Sequence, residues 1–144
     1  MTATVTTDQD RKITPTDFEL WQTVLWSSKN SDGEPLDDEH SIDDVDRADV
    51  ARLNDEFWLW KDLADQIMID NGRGDACLED LWPTRVEHLY VLCRDGHGCD
   101  FTDDWITDSN SWKIGKKIGE LARKMGPIGA DCEPTGRTVY CNWC

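Results

Sequence analysis

The residues best suited to catalysis lie in a glycine-rich segment, Arg94-Asp95-Gly96-His97-Gly98, with Asp103 a few residues further on. Glycines allow positive φ at a turn, and the imidazole of His97 titrates near neutral pH, so it could act as a general base beside a carboxylate. The alternative is a structural turn in which Arg94 and His97 bond to the loop, and we favour it because no nucleophile accompanies the segment. If the protein catalyses a reaction, the candidate residues are His97, Arg94, Asp95 and Asp103.

The spacing of cysteines decides whether the chain can hold zinc, whose structural sites favour four Cys or His ligands. Cys141 and Cys144 are separated by two residues, a familiar interval, whereas Cys93 and Cys99 are separated by five. Because the second interval is not typical of zinc ligands, we predict no metal site and no cofactor, with these four cysteines as weak candidates. We expect free thiols, since the N-terminus resembles no secretory signal and disulfides are rare in the cytoplasm.

Acidic residues dominate the charge of the chain, which has 30 acidic and 15 basic side chains and a formal net charge of −15. This balance excludes non-specific nucleic-acid binding as the default function. Eleven of the acids lie in residues 32–56, a density that can imitate DNA phosphates and fit the basic groove of a nuclease, repressor or CRISPR effector. The alternative is a solvated surface that keeps the protein soluble. The acids expected to contact a partner are Asp37, Asp38, Glu39, Asp43, Asp44 and Asp46.

Eight tryptophans supply large apolar side chains, and most of them are expected in the core. Trp58 and Trp60 are about 200° apart on a helix, so only one of them can face the core. The other would contact a partner protein or a second copy in a homodimer. We therefore add Trp26, Trp58 and Trp60 to the partner-contacting candidates. A basic strip of Lys113, Lys116, Lys117, Arg123 and Lys124 is expected to pair with acidic residues, within one chain or between two.

Helical periodicity marks the elements that must position these residues. Thr14, Pro15 and Asp17 form a helix start, which predicts a helix over 15–26. After a polar loop over 27–40, Ser41 and its two following acids predict the start of a long helix that ends at Asn71. A further helix is predicted over 112–124, ended by Gly126-Pro127.

Strand-forming residues follow Pro83, where residues 87–93 and 99–102 predict a β-hairpin with its turn at 94–98. Residues 128–133 and 138–143 predict a closing hairpin around a turn at 134–137. The fold class is thus α+β, with N-terminal helices packed on a β-β-α-β-β antiparallel unit. We expect residues 1–13 to form a disordered tail and residues 14–144 a single domain.

Four sequence blocks resemble a family of small acidic proteins encoded by bacteriophages and prophages. The blocks are Leu25-Trp26-Ser27-Ser28, Gly33-Glu34-Pro35-Leu36-Asp37, Ser41-Ile42-Asp43-Asp44 and Arg94-Asp95-Gly96-His97-Gly98, and the resemblance extends from Thr16 to Trp143. Asp95 stands where the family usually has Asn, and Cys93 and Cys99 depart from it as well. The resemblance implies a phage origin and, for a short accessory protein, action on host machinery or host defences.

These observations leave three hypotheses. The first is a non-enzymatic protein that binds a host or defence protein with a basic nucleic-acid-binding surface, as a DNA mimic, without contacting nucleic acid or membrane itself. The second is a small enzyme or ligand-binding domain centred on His97. The third is a phage structural or assembly component. In each case we expect a cytoplasmic protein of the infected host, because no stretch approaches eighteen uninterrupted apolar residues.

Overall fold

A computed structural model describes residues 12–29, 32–83, 86–96, 101–102, 109–132 and 138–141. The described part is mostly helical and has one antiparallel pair of strands, so the α+β class is confirmed in its broad form. The α-helices are α1 (Pro15–Ser27), α2 (Arg47–Asp70), α3 (Leu78–Leu81), α4 (Val86–Asp95) and α5 (Ser109–Lys124). Two 3-10 turns, Leu36–Asp38 and Ile42–Asp44, precede α2, and the strands are β1 (Ala130–Cys132) and β2 (Val139–Cys141).

The predicted start of α1 is confirmed. Thr14 accepts a hydrogen bond on its hydroxyl from the Asp17 N–H (3.1 Å), and the Asp17 carboxylate accepts one from the Thr14 N–H (2.9 Å). These bonds satisfy two backbone donors, and Pro15 occupies the first helical position. Asp17 is fully buried, and its second oxygen accepts a hydrogen bond from the Asn54 amide at 2.8 Å. The cap therefore also joins α1 to α2.

The long helix α2 ends at Asp70 as predicted, but its predicted start at Ser41 is wrong. Ser41 caps only the second 3-10 turn, and Asp46 is the N-cap of α2, accepting from the Ala48 N–H at 2.9 Å. Val45 separates the two because its backbone is extended and forms a bridge with Val139. A contact with a strand distant in sequence thus interrupts the helix.

The predicted strand over 87–93 is wrong, because this segment forms helix α4. Its strand-forming residues reflect burial: α4 packs against both α1 and α5, so most of its side chains are apolar. The helical spacing is nevertheless present in Val86, Leu89, Tyr90 and Cys93, all buried. The β-β-α-β-β unit is accordingly not formed. Residues 97–100, which include the end of the predicted turn and the start of the predicted second strand, lie outside the described residues.

The predicted helix over 112–124 and the closing strands are confirmed. Ile114, Ile118 and Ala122 on α5 face the core, and Gly126 follows the helix with φ of 87°. Strands β1 and β2 pair with Asp131 opposite Tyr140, while the turn between them lies outside the described residues.

The core is built around Trp60 of α2, which is fully buried. Its ring lies 4.8 Å from the Tyr90 ring and 5.5 Å from the Phe101 ring, measured between centroids. Its indole N–H donates to the Ile118 carbonyl on α5 at 2.9 Å. One side chain therefore connects α2, α4, α5 and the segment at Phe101, and its polar atom is satisfied.

The close approach of α5 to Phe101 gives a test of this packing. A methyl group added at Gly115 would collide with the Phe101 carbonyl, whereas one added at Gly119 would meet its nearest neighbours at ordinary contact distances of 3.6 to 3.7 Å. We expect Gly115→Ala to lower the free energy of unfolding by about 1–3 kcal/mol. Gly119→Ala should raise it by up to about 1 kcal/mol through helix propensity. Urea denaturation measures both, and equal effects would contradict the described position of Phe101.

Candidate partner-binding surface

The two 3-10 turns place the predicted acidic residues on the surface. We call Asp37, Asp38, Glu39, Asp43, Asp44 and Asp46 the acidic surface. Five of these residues are exposed, and Asp44 is half-buried. Between them the chain turns inward at Leu36, Ile42 and Val45, which are 1 %, 8 % and 3 % exposed. The alternation of apolar and acidic residues thus fixes which side chains face solvent.

Backbone hydrogen bonds hold this segment to the rest of the fold. The Leu36 N–H donates to the Ser28 carbonyl at the end of α1 (2.9 Å), and the Asp46 N–H donates to the Val139 carbonyl on β2 (3.0 Å). Within the first turn, the His40 N–H donates to the Leu36 carbonyl at 2.9 Å. The segment that carries the acidic surface is therefore bonded to the rest of the fold at both of its ends.

Cations of the described residues neutralise this surface only in part. Arg47 lies 3.7 Å from the Asp43 carboxylate, whose side chain is 79 % exposed. The imidazole of His40 forms a hydrogen bond with Asp44, with Nδ1 3.2 Å from the carboxylate. Among the residues that the structure describes, no cation forms an ion pair with Asp37, Asp38 or Glu39. The first turn keeps its charge available for a partner.

The tryptophan candidates separate into exposed and buried residues. Trp26 is 54 % exposed at the end of α1 and lies against the His88 ring, with centroids 5.7 Å apart. Trp58 is 43 % exposed, with the Lys61 ammonium 5.2 Å from its ring. Trp60 is a core residue, so its inclusion among the partner-contacting candidates is corrected. The argument that Trp58 and Trp60 face opposite sides is confirmed.

Arg94, a candidate for catalysis, is used inside the fold. Its side chain is 1 % exposed and donates to the Glu56 carboxylate and the Gly126 carbonyl, each at 2.8 Å. It also donates to the Tyr90 hydroxyl (3.1 Å) and the Met125 carbonyl (3.3 Å). Burial raises the pKa of Tyr90 to about 12, so this phenol remains protonated and neutral. Arg94 thereby joins α2, α4 and the chain after α5.

Of the other three catalytic candidates, the structure describes only Asp95. Asp95 accepts a hydrogen bond from the Ile128 N–H at 2.7 Å, which holds the entry to β1 against the end of α4. His97 and Asp103 lie outside the described residues. Arg94 and Asp95 thus form structural hydrogen bonds from the end of helix α4, so the predicted loop turn does not begin at Arg94, and the role of His97 stays a prediction.

The weak metal candidates are likewise placed only in part. Cys93 is buried and Cys141 is half-buried, while Cys99 and Cys144 lie outside the described residues. Burial and the nearby Asp49 raise the pKa of the Cys141 thiol, which disfavours the thiolate that binds metals. In the described ranges, no group of three or more His, Cys, Asp or Glu side chains is arranged to hold a metal ion.

A second charged cluster was not predicted from the sequence. Lys61 on α2 forms an ion pair with Glu79 on α3 at 2.6 Å. Burial alone would lower the pKa of Lys61, but the bond to Glu79 and the neighbouring carboxylates raise it overall. Half-burial, with added repulsion from Glu79 and Glu19, raises the pKa of Glu87 on α4. No sequence motif signals this cluster, because four helices bring its members together.

The two arginines that pair with Glu56 form a matched test of the Arg94 contact. We expect Arg94→Met to lower the free energy of unfolding by about 3 kcal/mol, because it leaves buried acceptors without a donor. Arg52 pairs with the same carboxylate at 2.8 Å but is 51 % exposed, so Arg52→Met should cost less than about 1 kcal/mol. Chemical denaturation at pH 7 measures both. If Arg94→Met lowers the free energy of unfolding no more than Arg52→Met does, the structural role given to Arg94 is contradicted.

The raised pKa of Glu87 predicts a pH-dependent stability. Because this pKa is higher in the folded than in the unfolded chain, protonation of Glu87 stabilises the fold, and that contribution is lost as pH rises through the folded value. Glu87→Gln should therefore raise the free energy of unfolding at pH 7, by less than about 1 kcal/mol. The gain should shrink as pH falls and vanish once the carboxyl is protonated in both the folded and the unfolded chain. Asp55→Asn, at an exposed site on α2, controls for the change in net charge. If Glu87→Gln raises the free energy of unfolding equally at every pH, the raised pKa of Glu87 is not the cause.

Comparisons with known proteins return no family. No protein-family model, no curated protein and no solved structure matches this chain. Among the described residues, no helix is long and apolar enough to cross a membrane.

Proposed function

We propose that this protein is a phage-encoded interaction protein whose acidic surface occupies a nucleic-acid-binding surface on a host or defence protein in the cytoplasm of the infected cell. The observation that carries the proposal is the alternation of buried anchors and exposed acids over residues 36–46. The resemblance of the sequence blocks to phage proteins supports the origin.

Fixed carboxylates suit such a target for an electrostatic reason. A groove that binds DNA carries a dense positive field, and any compact array of negative charges is attracted to it. Carboxylates on an ordered turn lose less conformational entropy on binding than carboxylates on a flexible tail. The anchoring of Leu36, Ile42 and Val45 therefore favours a binding surface over a merely solubilising charge.

An exposed aromatic residue lies close in the chain to the point where the acidic segment is bonded to α1, and it can add affinity. The bond between Leu36 and Ser28 attaches the first acidic turn to the end of α1, two residues after Trp26. Tryptophan is enriched among the residues that dominate binding energy at interfaces, where it fills a pocket surrounded by polar contacts. In this proposal Trp26 is the apolar anchor beside the carboxylates, with Trp58 as a second exposed aromatic on α2.

The experiment is affinity capture from a nuclease-treated bacterial lysate at 0.05 M and 0.5 M salt. A variant with Asp37→Asn, Asp38→Asn and Glu39→Gln removes three charges from the first turn. At about 0.5 kcal/mol for each exposed contact, we expect about tenfold weaker retention of the partner. The partner should leave at high salt, and it should also be displaced by added duplex DNA, since both ligands use the same groove.

The matched control removes three exposed charges elsewhere, through Asp55→Asn, Asp70→Asn and Asp75→Asn. It has the same net charge as the first variant and should retain the partner as wild type does. Equal losses in both variants would show that only net charge matters. A partner that resists duplex DNA, or no captured partner at either salt, would contradict the proposal.

A further inference from the structure

The outward face of α5 presents a positive surface on a strongly acidic protein. We call Lys113, Lys116, Lys117 and Lys124 the basic stripe; all four are exposed. At about 100° per residue, three of them, Lys113, Lys117 and Lys124, project within about 40° of one another and extend over about 16 Å of the helix. The opposite face of α5 is buried in the core, so the stripe has one fixed orientation.

The lysines of the stripe form no ion pair in the described part of the chain. The ion pairs found there involve Arg47, Arg52, Lys61 and Arg94. Lys116 contacts an aromatic ring instead, with its ammonium 5.5 Å from the ring of Trp112, which is 44 % exposed. Pairing within the molecule, one of the two arrangements predicted for these lysines, is thus not seen among the described residues.

Beside the stripe lies a shallow groove of about 220 Å³ between α2 and α5. Ile67 and Leu121 give it apolar walls, and Lys117 and Lys124 add positive charge, with Glu120 as the single acid of the lining. Such a groove suits an apolar side chain that is flanked by carboxylates. The acidic surface offers carboxylates, and the exposed Trp26 lies two residues before Ser28, to which the first turn is bonded, so a second copy carries both groups.

We propose that the basic stripe and its groove bind the acidic surface of a second copy of this chain. Each copy carries both complementary surfaces, so a two-fold dimer would form the contact twice and close without further copies. This proposal does not rest on the proposed function. It adds a regulatory consequence, because a protein partner would have to displace the neighbouring α5 from the carboxylates.

Charge balance favours a second copy over nucleic acid as the occupant of the stripe. Both are negative overall, but nucleic acid is negative along its whole length, whereas a second copy offers a local acidic surface. At 0.15 M salt the Debye length is about 8 Å, so the repulsion between net charges is largely screened while direct contacts persist. Association should accordingly be strong near 0.1 M salt and fall at least tenfold at 1 M.

A charge-swap experiment tests the contact by sedimentation velocity at 0.1 M salt. The stripe variant carries Lys113→Glu, Lys117→Glu and Lys124→Glu, and the acidic variant carries Asp37→Lys, Asp38→Lys and Glu39→Lys. Each variant alone should be monomeric, because its two surfaces now have the same sign. An equimolar mixture should associate within about threefold of the wild-type constant, since both contacts between the two variants are again complementary.

A net-charge control carries Lys12→Glu, Lys29→Glu and Arg52→Glu, all at exposed positions outside the stripe. It should remain dimeric, with an association constant well above that of the stripe variant, and circular dichroism checks that every variant is folded. A monomeric wild type at 0.2 mM protein would overturn the proposal, as would a mixture that fails to associate. Binding of a labelled single-stranded oligonucleotide to wild type, lost in the stripe variant, would assign the stripe to nucleic acid instead.

Discussion

The acidic segment over residues 36–46 is held against the core by three aliphatic side chains, Leu36, Ile42 and Val45. Without them the carboxylates between would repel one another into an extended loop, because like charges at close range oppose a compact chain. The bond from the Asp46 N–H to the Val139 carbonyl completes the attachment and also sets where α2 begins. The proposed partner surface and the proposed self-contact both depend on this anchoring.

The core must be largely apolar even though the chain has twice as many acids as bases. Trp60 contacts the rings of Phe57, Tyr90 and Phe101, and its N–H donates to the Ile118 carbonyl. Arg94 is the one cation among the buried polar residues of the described part, and its bonds to Glu56, Gly126 and Met125 join α2 to the chain after α5. Other charged side chains lie on the surface, with acidic residues on the 3-10 turns and lysines on the outer face of α5.

Local signals made much of this fold predictable, and distant contacts account for what was missed. The cap at Thr14, the helix ended by Gly126 and the closing strands each depend on residues adjacent in sequence. Helix α4 was predicted as a strand because burial between two helices leaves few of the polar residues that mark the outer face of a surface helix. The start of α2 was misplaced because Val45 pairs with Val139, far along the chain. The sequence was enough to predict where the acidic residues of the site lie in the chain. Only the fold shows which of Trp58 and Trp60 is buried.

The most direct test of the account is amide hydrogen exchange across the acidic segment, resolved by NMR. The N–H groups of His40, Val45 and Asp46 donate to the carbonyls of Leu36, Ile42 and Val139. If the segment is anchored, these three amides should exchange more than about tenfold more slowly than in an unfolded peptide, an opening cost above about 1.4 kcal/mol. Exchange at the unfolded rate would show that the carboxylates belong to a flexible loop, and it would contradict the preorganised surface on which both proposals depend.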